Sequence, residues 1–336
     1  MNRRGRQGGS DIQGVSLVRY SARRLAQAVP LVLAVLVLTF ILIHLVPGDP
    51  IYILAGDGGD KAYYTEMRAY YGLDRPLPEQ LVRYLLAVIH GDFGYSFTYQ
   101  QPVFQVILGR IPATLLLMGT ALALSTILGL LLGTLTGSRP HTKLDRVITA
   151  LTLTVYGIPV FWLGQLLIIV FAIWLKWFPI EGMVSVRDDY TGIFYGLDVL
   201  HHLALPAISL TLSQLALTVR LTRTTVREVL GEDFVRTARA KGLPERVVVL
   251  RHALRNALLP IVTVIGNEIG LLLTGAALTE TVFAWPGLGR LLLSATLNRD
   301  YPLLMAIFIL VAVTVIIANL FTDLLYTWLD PRVRYK

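Results

Sequence analysis

The segment EVLGEDFVRTARAKGLPERVVVLRHALRNALLP, from Glu228 to Pro260, is polar and basic, yet it joins two apolar runs. These runs extend from Leu203 to Val219 and from Ala257 to Ala277. Each has, or nearly has, the about 20 residues with which a helix crosses a bilayer. Because a simple linker needs no such ordered pattern, the segment predicts a structured connection outside the lipid.

Within this segment, the residues DFVRTARAKG predict a short helix. Asp233 is placed to cap its first turn, and Gly242, followed by Leu243 and Pro244, predicts where it ends. Helices commonly stop at a glycine that adopts a left-handed conformation. The pattern therefore predicts a helix from Asp233 to Gly242.

One face of this helix carries small and apolar residues. Phe234 and Ala238 are four residues apart and so share a face, with Thr237 and Ala240 beside them. The basic residues that flank this face are Arg236, Arg239 and Lys241. A surface of this kind is typical of a helix that docks into a groove on another protein.

The composition of the whole chain predicts a membrane protein. Hydrophobic residues make up 54% of it and charged residues 15%, whereas soluble domains have about a quarter charged residues. Six apolar runs are candidate spans: Leu25 to Val46, Ala113 to Gly137, Val147 to Leu175, Leu203 to Leu221, Ala257 to Ala277, and Pro302 to Thr322. Helices satisfy their own backbone in lipid, so we expect a single all-α membrane domain, residues 1–336, with six transmembrane helices.

Basic residues orient the spans. More than two thirds of the 30 Lys and Arg residues fall at the termini, between spans two and three, or between spans four and five. Positive loops stay in the cytoplasm, so both termini and the predicted helix between spans four and five face the cytoplasm. The outer segment, residues 47–111, lies between spans one and two. In it, Pro78 to Gly91 predicts a helix that either lies on the membrane or packs on the spans.

Several functions are excluded or disfavoured. The net charge of +8 belongs to span ends and cytoplasmic loops, and no element typical of nucleic-acid recognition is present. The sequence has no cysteine, and His201 and His202 point in different directions on a helix, so we predict no metal site. There is no Walker-type loop and no catalytic constellation. The chain is therefore predicted to bind no cofactor and to be no enzyme.

Polar residues within the spans are candidates to line a transport path. An ionisable side chain at the centre of a span costs at least ~2.5 kcal/mol, so it should face water or a partner. The candidates are Gln165, Ser213, Gln214, Asn267 and Glu268. For Glu268, hydrogen bonds that hold the helices together are an equally favoured alternative. Gly157 and Pro159 can kink the third span.

The Glu228 to Pro260 segment resembles the cytoplasmic coupling loop of binding-protein-dependent ABC importer permeases, in the variant of the dipeptide, oligopeptide and nickel branch. Counting back from Gly242 places Arg236, Thr237 and Ala238 at the Glu-Ala-Ala positions of that loop. Other strings that resemble the branch are RRLAQAVPLVLAVLVLTFILIHLVPGDP (Arg23 to Pro50), ETVFAWPGLGRLL (Glu280 to Leu293), RDYP (Arg299 to Pro302) and NLFTDLLYTWLDPRVR (Asn319 to Arg334).

This resemblance implies an inner-membrane permease subunit that forms half of a path for di- and oligopeptides. The implied partners are a second homologous permease, two ATPase subunits that bind ATP and Mg²⁺, and an extracytoplasmic peptide-binding protein. The residues implied to couple to the ATPase are Asp233, Phe234, Arg236, Thr237, Ala238, Lys241 and Gly242. Two alternatives remain open: a nickel-chelate permease of the same branch, and a secondary transporter.

Overall fold

The computed structural model describes residues 26–27, 29–41, 44–45, 59–71, 73–186 and 190–329, with side chains except at 70–71, 259, 263–275 and 321–329. The described part of the chain is mainly helical and divides into two compact units. The first unit comprises Met1–Gly109, Leu292–Leu320 and Arg334–Lys336, and the second comprises Arg110–Leu291 and Phe321–Val333.

The helices and strands follow one another along the described residues. They are α1 (Val29–Ile41), α2 (Lys61–Tyr71), α3 (Leu77–Ile89), β1 (Tyr95–Ser96), β2 (Gln101–Pro102), α4 (Val103–Ser138), α5 (Lys143–Tyr156), α6 (Val160–Leu167), α7 (Ile193–Leu230), α8 (Asp233–Ala240), α9 (Glu245–Val247), α10 (Leu254–Val282), α11 (Leu288–Leu297) and α12 (Tyr301–Leu329). Two π-helical stretches, Ile168–Trp174 and Val248–Ala253, extend α6 and lead from α9 into α10. The helical class agrees with the prediction.

Three helices in the described part are long and apolar enough to cross a membrane: α4, α7 and the Tyr301–Leu320 part of α12. A fourth span is possible if α5 and the Val160–Trp174 helix form one broken span, since these two are bent by 102°. The bend falls at Gly157 and Pro159, so the predicted kink in the third span is confirmed. Part of the predicted first span and the side chains at 263–275 of the fifth lie outside the described residues. The count of six stays a prediction.

In the first unit, a buried carboxylate connects the outer segment to the start of α12. The hairpin of β1 and β2 pairs Tyr95 with Pro102 and Ser96 with Gln101. Ser96 Oγ donates to Asp300 Oδ2 at 2.6 Å, and the backbone N–H of Thr98 donates to the same oxygen at 3.1 Å. Asp300, which directly precedes α12, is fully buried. Its bonds therefore hold the hairpin against that helix terminus.

The predicted outer helix is present as α3, with a proline in its first turn and Gly91 just beyond its end at a φ of 79°. Leu81, Leu85 and Val88 lie on one face of α3 and are half-buried. Leu77, the first residue of the helix, is exposed.

In the second unit, α4 lies against α7 along a row of glycines. The backbone of Gly129, Gly133 and Gly137 recurs every four residues on one face of α4. A methyl group added at Gly133 would lie 2.5 Å from Thr222 Cβ and 2.8 Å from the carbonyl oxygen of Val219. Since backbone cannot move aside, the close approach of α4 and α7 requires glycine there.

Candidate functional site

The predicted short helix between the long helices is present as α8, Asp233–Ala240, directly after α7. The prediction that Asp233 caps it is wrong. The N-cap position is Glu232, whose side chain makes no capping hydrogen bond, and Asp233 is the first helical residue. An acidic side chain in the first turn still stabilises the helix, because the free N–H groups there carry partial positive charge.

The predicted stop at Gly242 is confirmed. The backbone N–H of Gly242 donates to the carbonyl of Arg239 at 2.9 Å, and that of Leu243 donates to the carbonyl of Ala238 at 3.4 Å. These two bonds form a Schellman motif, whose glycine takes a left-handed conformation. Gly242 has a φ of 76° accordingly, and a side chain there would meet no atom within 4 Å. The turn, not crowding within the chain, explains this glycine.

One face of α8 packs on its own chain. Val235 and Ala238, three residues apart, are buried against Val248, with Val229 and Leu230 of α7 packed alongside. Ala238 therefore differs from expectation, since it is buried inside the chain and does not lie on a free docking surface. Its partner Val248 follows in sequence only after the turn at Gly242, so no helical periodicity of α8 alone could identify this contact.

The other face of α8 is exposed and carries Phe234 and Thr237, with the exposed C-cap residue Lys241 directly after the helix. Phe234 is 43% exposed, so its ring is available for contact with a partner. We name these three residues the outer face of α8. Because i, i+3 and i+7 positions lie on one side of a helix, the outer face is continuous.

Ion pairs hold two of the basic residues of α8, Arg236 and Arg239. Arg236 lies 3.3 Å from Asp233 Oδ1, within the first turn. Arg239 donates two hydrogen bonds to Glu245, from Nε at 3.1 Å and from Nη2 at 2.7 Å. These bonds hold the pKa of the Glu245 carboxyl below its usual value. The Arg239–Glu245 pair closes the turn between α8 and α9.

The candidate path residues are not brought together by hydrogen bonds in the described part. Gln165 is exposed on α6. Ser213 is half-buried and donates to the carbonyl of Leu210 on its own helix at 2.8 Å. Gln214 accepts a hydrogen bond from Ser125 Oγ of α4 at 3.3 Å, and this bond links α7 to α4. The side chains of Asn267 and Glu268 lie outside the described residues, although both positions are within α10.

An ion pair that was not predicted from the sequence joins α5 to α7. Asp145, 3% exposed, accepts hydrogen bonds from Arg223 Nε at 2.6 Å and from Nη2 at 2.9 Å. The same carboxylate accepts a bond from the backbone N–H of His141 at 3.0 Å. The two partners are 78 residues apart in sequence. In the sequence, the only signal for this pair is that Arg223 is a basic residue in the polar C-terminal part of α7.

A second buried carboxylate was also missed. Glu280, near the end of α10, is fully buried and accepts hydrogen bonds from Thr114 Oγ1 at 2.8 Å and from the backbone N–H of Arg290 at 2.9 Å. A methyl group on Gly287 would overlap this carboxylate. Trp285, also fully buried, donates its indole N–H to the carbonyl of Ala113 at 2.8 Å. The string FAWPGLGR thus encloses a polar contact between α4, α10 and the start of α11.

Comparison with known proteins gives two family matches. Residues 125–335 match the family described as "Binding-protein-dependent transport system inner membrane component". Residues 17–118 match the N-terminal family of the same membrane components.

Full-length relatives are similar along nearly the whole chain. The dipeptide transport system permease protein DppB of Escherichia coli (strain K12) is 41% identical, over 95% of this chain and 100% of that protein. The di/tripeptide transport system permease protein DppB of Pseudomonas aeruginosa (strain UCBPP-PA14) is 39% identical, and the oligopeptide transport system permease protein AppB of Bacillus subtilis (strain 168) is 37% identical, each with the same coverage.

Proposed function

We propose that this chain, which belongs to the family of binding-protein-dependent transport system inner membrane components, forms half of a translocation path for di- and oligopeptides. It is a multi-pass inner-membrane protein and a permease subunit of an ABC transporter. One structural observation supports the proposal most directly. A short helix with a defined stop, α8, sits at the end of the long apolar helix α7 and exposes a continuous outer face.

The outer face of α8 is the proposed docking surface for an ATPase subunit. Phe234 supplies apolar area, and Lys241 and Arg236 supply positive charge around it. Ala238 supports this surface without being part of it, because its buried contact with Val248 fixes how α8 packs on its own chain. Asp233 and Thr237 complete the exposed surface, and Gly242 ends it.

The full assembly contains a second homologous permease, two ATPase subunits that bind ATP and Mg²⁺, and an extracytoplasmic peptide-binding protein. This chain contributes six spans, both termini face the cytoplasm, and α8 is the cytoplasmic coupling helix between the fourth and fifth spans. The distribution of Lys and Arg supports this orientation. Docked in this way, α8 is displaced when the ATPase pair closes, and α7 and α10 change the opening of the path.

Peptides are the proposed solute because the relatives named above are permeases of dipeptide, di/tripeptide and oligopeptide systems. A nickel chelate is less well supported than peptides by those names. A secondary transporter does not agree with the family to which the chain belongs. Gln165, Ser213, Gln214, Asn267 and Glu268 remain the proposed polar lining of the path.

The first experiment isolates the assembly. The tagged chain is purified in mild detergent from its native membrane, and the accompanying proteins are identified by mass spectrometry. We expect a second permease and a P-loop ATPase. Recovery of the chain without an ATPase, under conditions that keep other ABC transporters intact, would contradict the proposal.

A substitution then tests the docking surface. Phe234→Ser removes the exposed aromatic group, and burial of a Phe stabilises a contact by about 1.5–3 kcal/mol, so we expect roughly tenfold less ATPase to copurify. Phe194→Ser is the matched control, since Phe194 is 64% exposed at the opposite end of α7. Equal ATPase recovery from both variants would exclude Phe234 from the docking surface. Substitutions of Gly242 are less suited, because its positive φ makes them test the turn itself.

A further inference from the structure

We propose that the Asp145–Arg223 ion pair is a positioning contact that transmits displacement of α8 to the bent helix pair of α5 and α6. This inference rests on the proposed function, because it assumes that an ATPase moves α8. It assigns a role to two residues that the docking proposal does not use, and every contact in it lies within the second unit.

The pair sits between α8 and the bend. Arg223 lies on α7, whose last residues Val229 and Leu230 pack against the buried face of α8. Asp145 lies in the first turn of α5, which ends at the 102° bend before α6. The path from α8 through α7 and α5 to the bend therefore consists of packed or covalently continuous elements, joined between α7 and α5 by this pair.

The geometry of the pair makes it stiff. Two parallel hydrogen bonds, 2.6 and 2.9 Å long, join the guanidinium of Arg223 to both oxygens of Asp145. Bidentate pairs fix orientation as well as distance. Asp145 also accepts a hydrogen bond from the backbone N–H of His141, which has a φ of 64° in the turn before α5. One carboxylate thus fixes the turn, the first turn of α5 and the side chain from α7.

The end of α4 is fixed at the same level. A methyl group added at Gly137 would lie 2.7 Å from the carbonyl oxygen of Arg223. The backbone of α4 therefore contacts the backbone of α7 where the ion pair joins α7 to α5. A displacement of α7 at Arg223 therefore also displaces its contact with α4 and its ion pair with α5, so that α4, α5 and α7 move together.

The test measures solute transported per ATP hydrolysed. The complex is purified through a tag on this chain, reconstituted in proteoliposomes with its binding protein, and supplied with ATP and radiolabelled alanyl-alanine. Asp145→Asn and Arg223→Gln each remove the charge pairing, and we expect each to lower the ratio about fivefold in assembled complexes. Because the two residues act as one unit, the double variant should be no worse than either single variant.

Controls separate positioning from folding. Lys143→Gln and Arg220→Gln remove exposed charges one turn or less from each partner, and we expect both to keep the wild-type ratio. Asp145→Glu keeps the charge and should restore part of the ratio. A role in folding alone would reduce the amount of assembled complex and leave the ratio unchanged.

Each outcome decides between the two proposals. If the wild-type complex does not accumulate alanyl-alanine, the proposed solute is wrong, whatever the variants do. If it does, a wild-type ratio for Asp145→Asn, or additive losses in the double variant, overturns the positioning role. Arg223→Gln leaves the bond to His141 in place, so it replaces Asp145→Asn if the latter does not assemble. Failure of both to assemble assigns the pair to folding and also overturns the inference.

Discussion

Replacing Gly287 with alanine should destabilise the protein, whereas alanine at Gly119 of α4 should not. The added methyl would overlap the carboxylate of Glu280, which is fully buried and already bound by Thr114 Oγ1 and the backbone N–H of Arg290. The carboxylate must therefore move and lose at least one of these bonds. Glu280 has no exposed surface, so its carboxylate has no contact with solvent in this position.

The expected cost has two contributions. A hydrogen bond to a charged group contributes about 1.5–3 kcal/mol, and overpacking a close-packed interior costs about 1–3 kcal/mol. Gly287→Ala should thus lower the free energy of unfolding by about 2.5–6 kcal/mol. Gly119→Ala is the matched control on α4, because a methyl there meets no atom within 4 Å. It should stabilise slightly, by up to about 1 kcal/mol, through helix propensity.

The assay is thermal unfolding of the purified protein in detergent, followed by tryptophan fluorescence. We expect Gly287→Ala to melt well below both the wild type and Gly119→Ala. Adding Glu280→Ala to Gly287→Ala makes room for the methyl, so the double variant should lose less than the sum of the two single losses. Melting of Gly287→Ala together with the wild type, or fully additive losses, would refute this reasoning.

Three further predictions concern other contacts. Gly133→Ala should lower the melting temperature where Gly119→Ala does not, because its methyl would press α4 away from the backbone of α7; equal melting of the two variants would contradict the close helix contact. Ser96→Ala removes a hydrogen bond to the buried carboxylate of Asp300 and should cost about 1.5–3 kcal/mol and speed proteolysis of the outer segment; unchanged cleavage would exclude this role. The pKa of Glu245 is lowered in the folded chain, so its pairing with Arg239 stabilises the turn at pH values above the ordinary pKa of a glutamate, and this stabilisation is lost as the pH falls through the lowered pKa. Hydrogen exchange of the turn, corrected for intrinsic rates, should show this loss in the wild type and not in Glu245→Gln.

Local signals allowed the sequence to predict much of the fold. The helix from Asp233 and its stop at Gly242 were predicted, since a glycine followed by proline marks a helix end through the conformations of a few adjacent residues. The break at Gly157 and Pro159 and the outer helix before Gly91 were predicted for the same reason. Each of these features depends on residues within one or two turns of one another.

The side that α8 presents could not be predicted. The sequence placed Ala238 on the docking surface, because Phe234 and Ala238 share a helical face. The structure buries Ala238 against Val248 and leaves Phe234 exposed. Which part of an amphipathic face packs on the chain itself depends on residues beyond the turn, such as Val248, and the periodicity of α8 carries no such information.

The sequence by itself determined that this is a helical membrane protein and where the short helix α8 begins and ends. Only the tertiary structure decided which polar residues meet. Asp145 and Arg223 are 78 residues apart, and Glu280 and Thr114 are 166 residues apart. Such pairs form because long helices pack side by side over many turns. Their partners are therefore set by helix packing, which no pattern of neighbouring residues encodes.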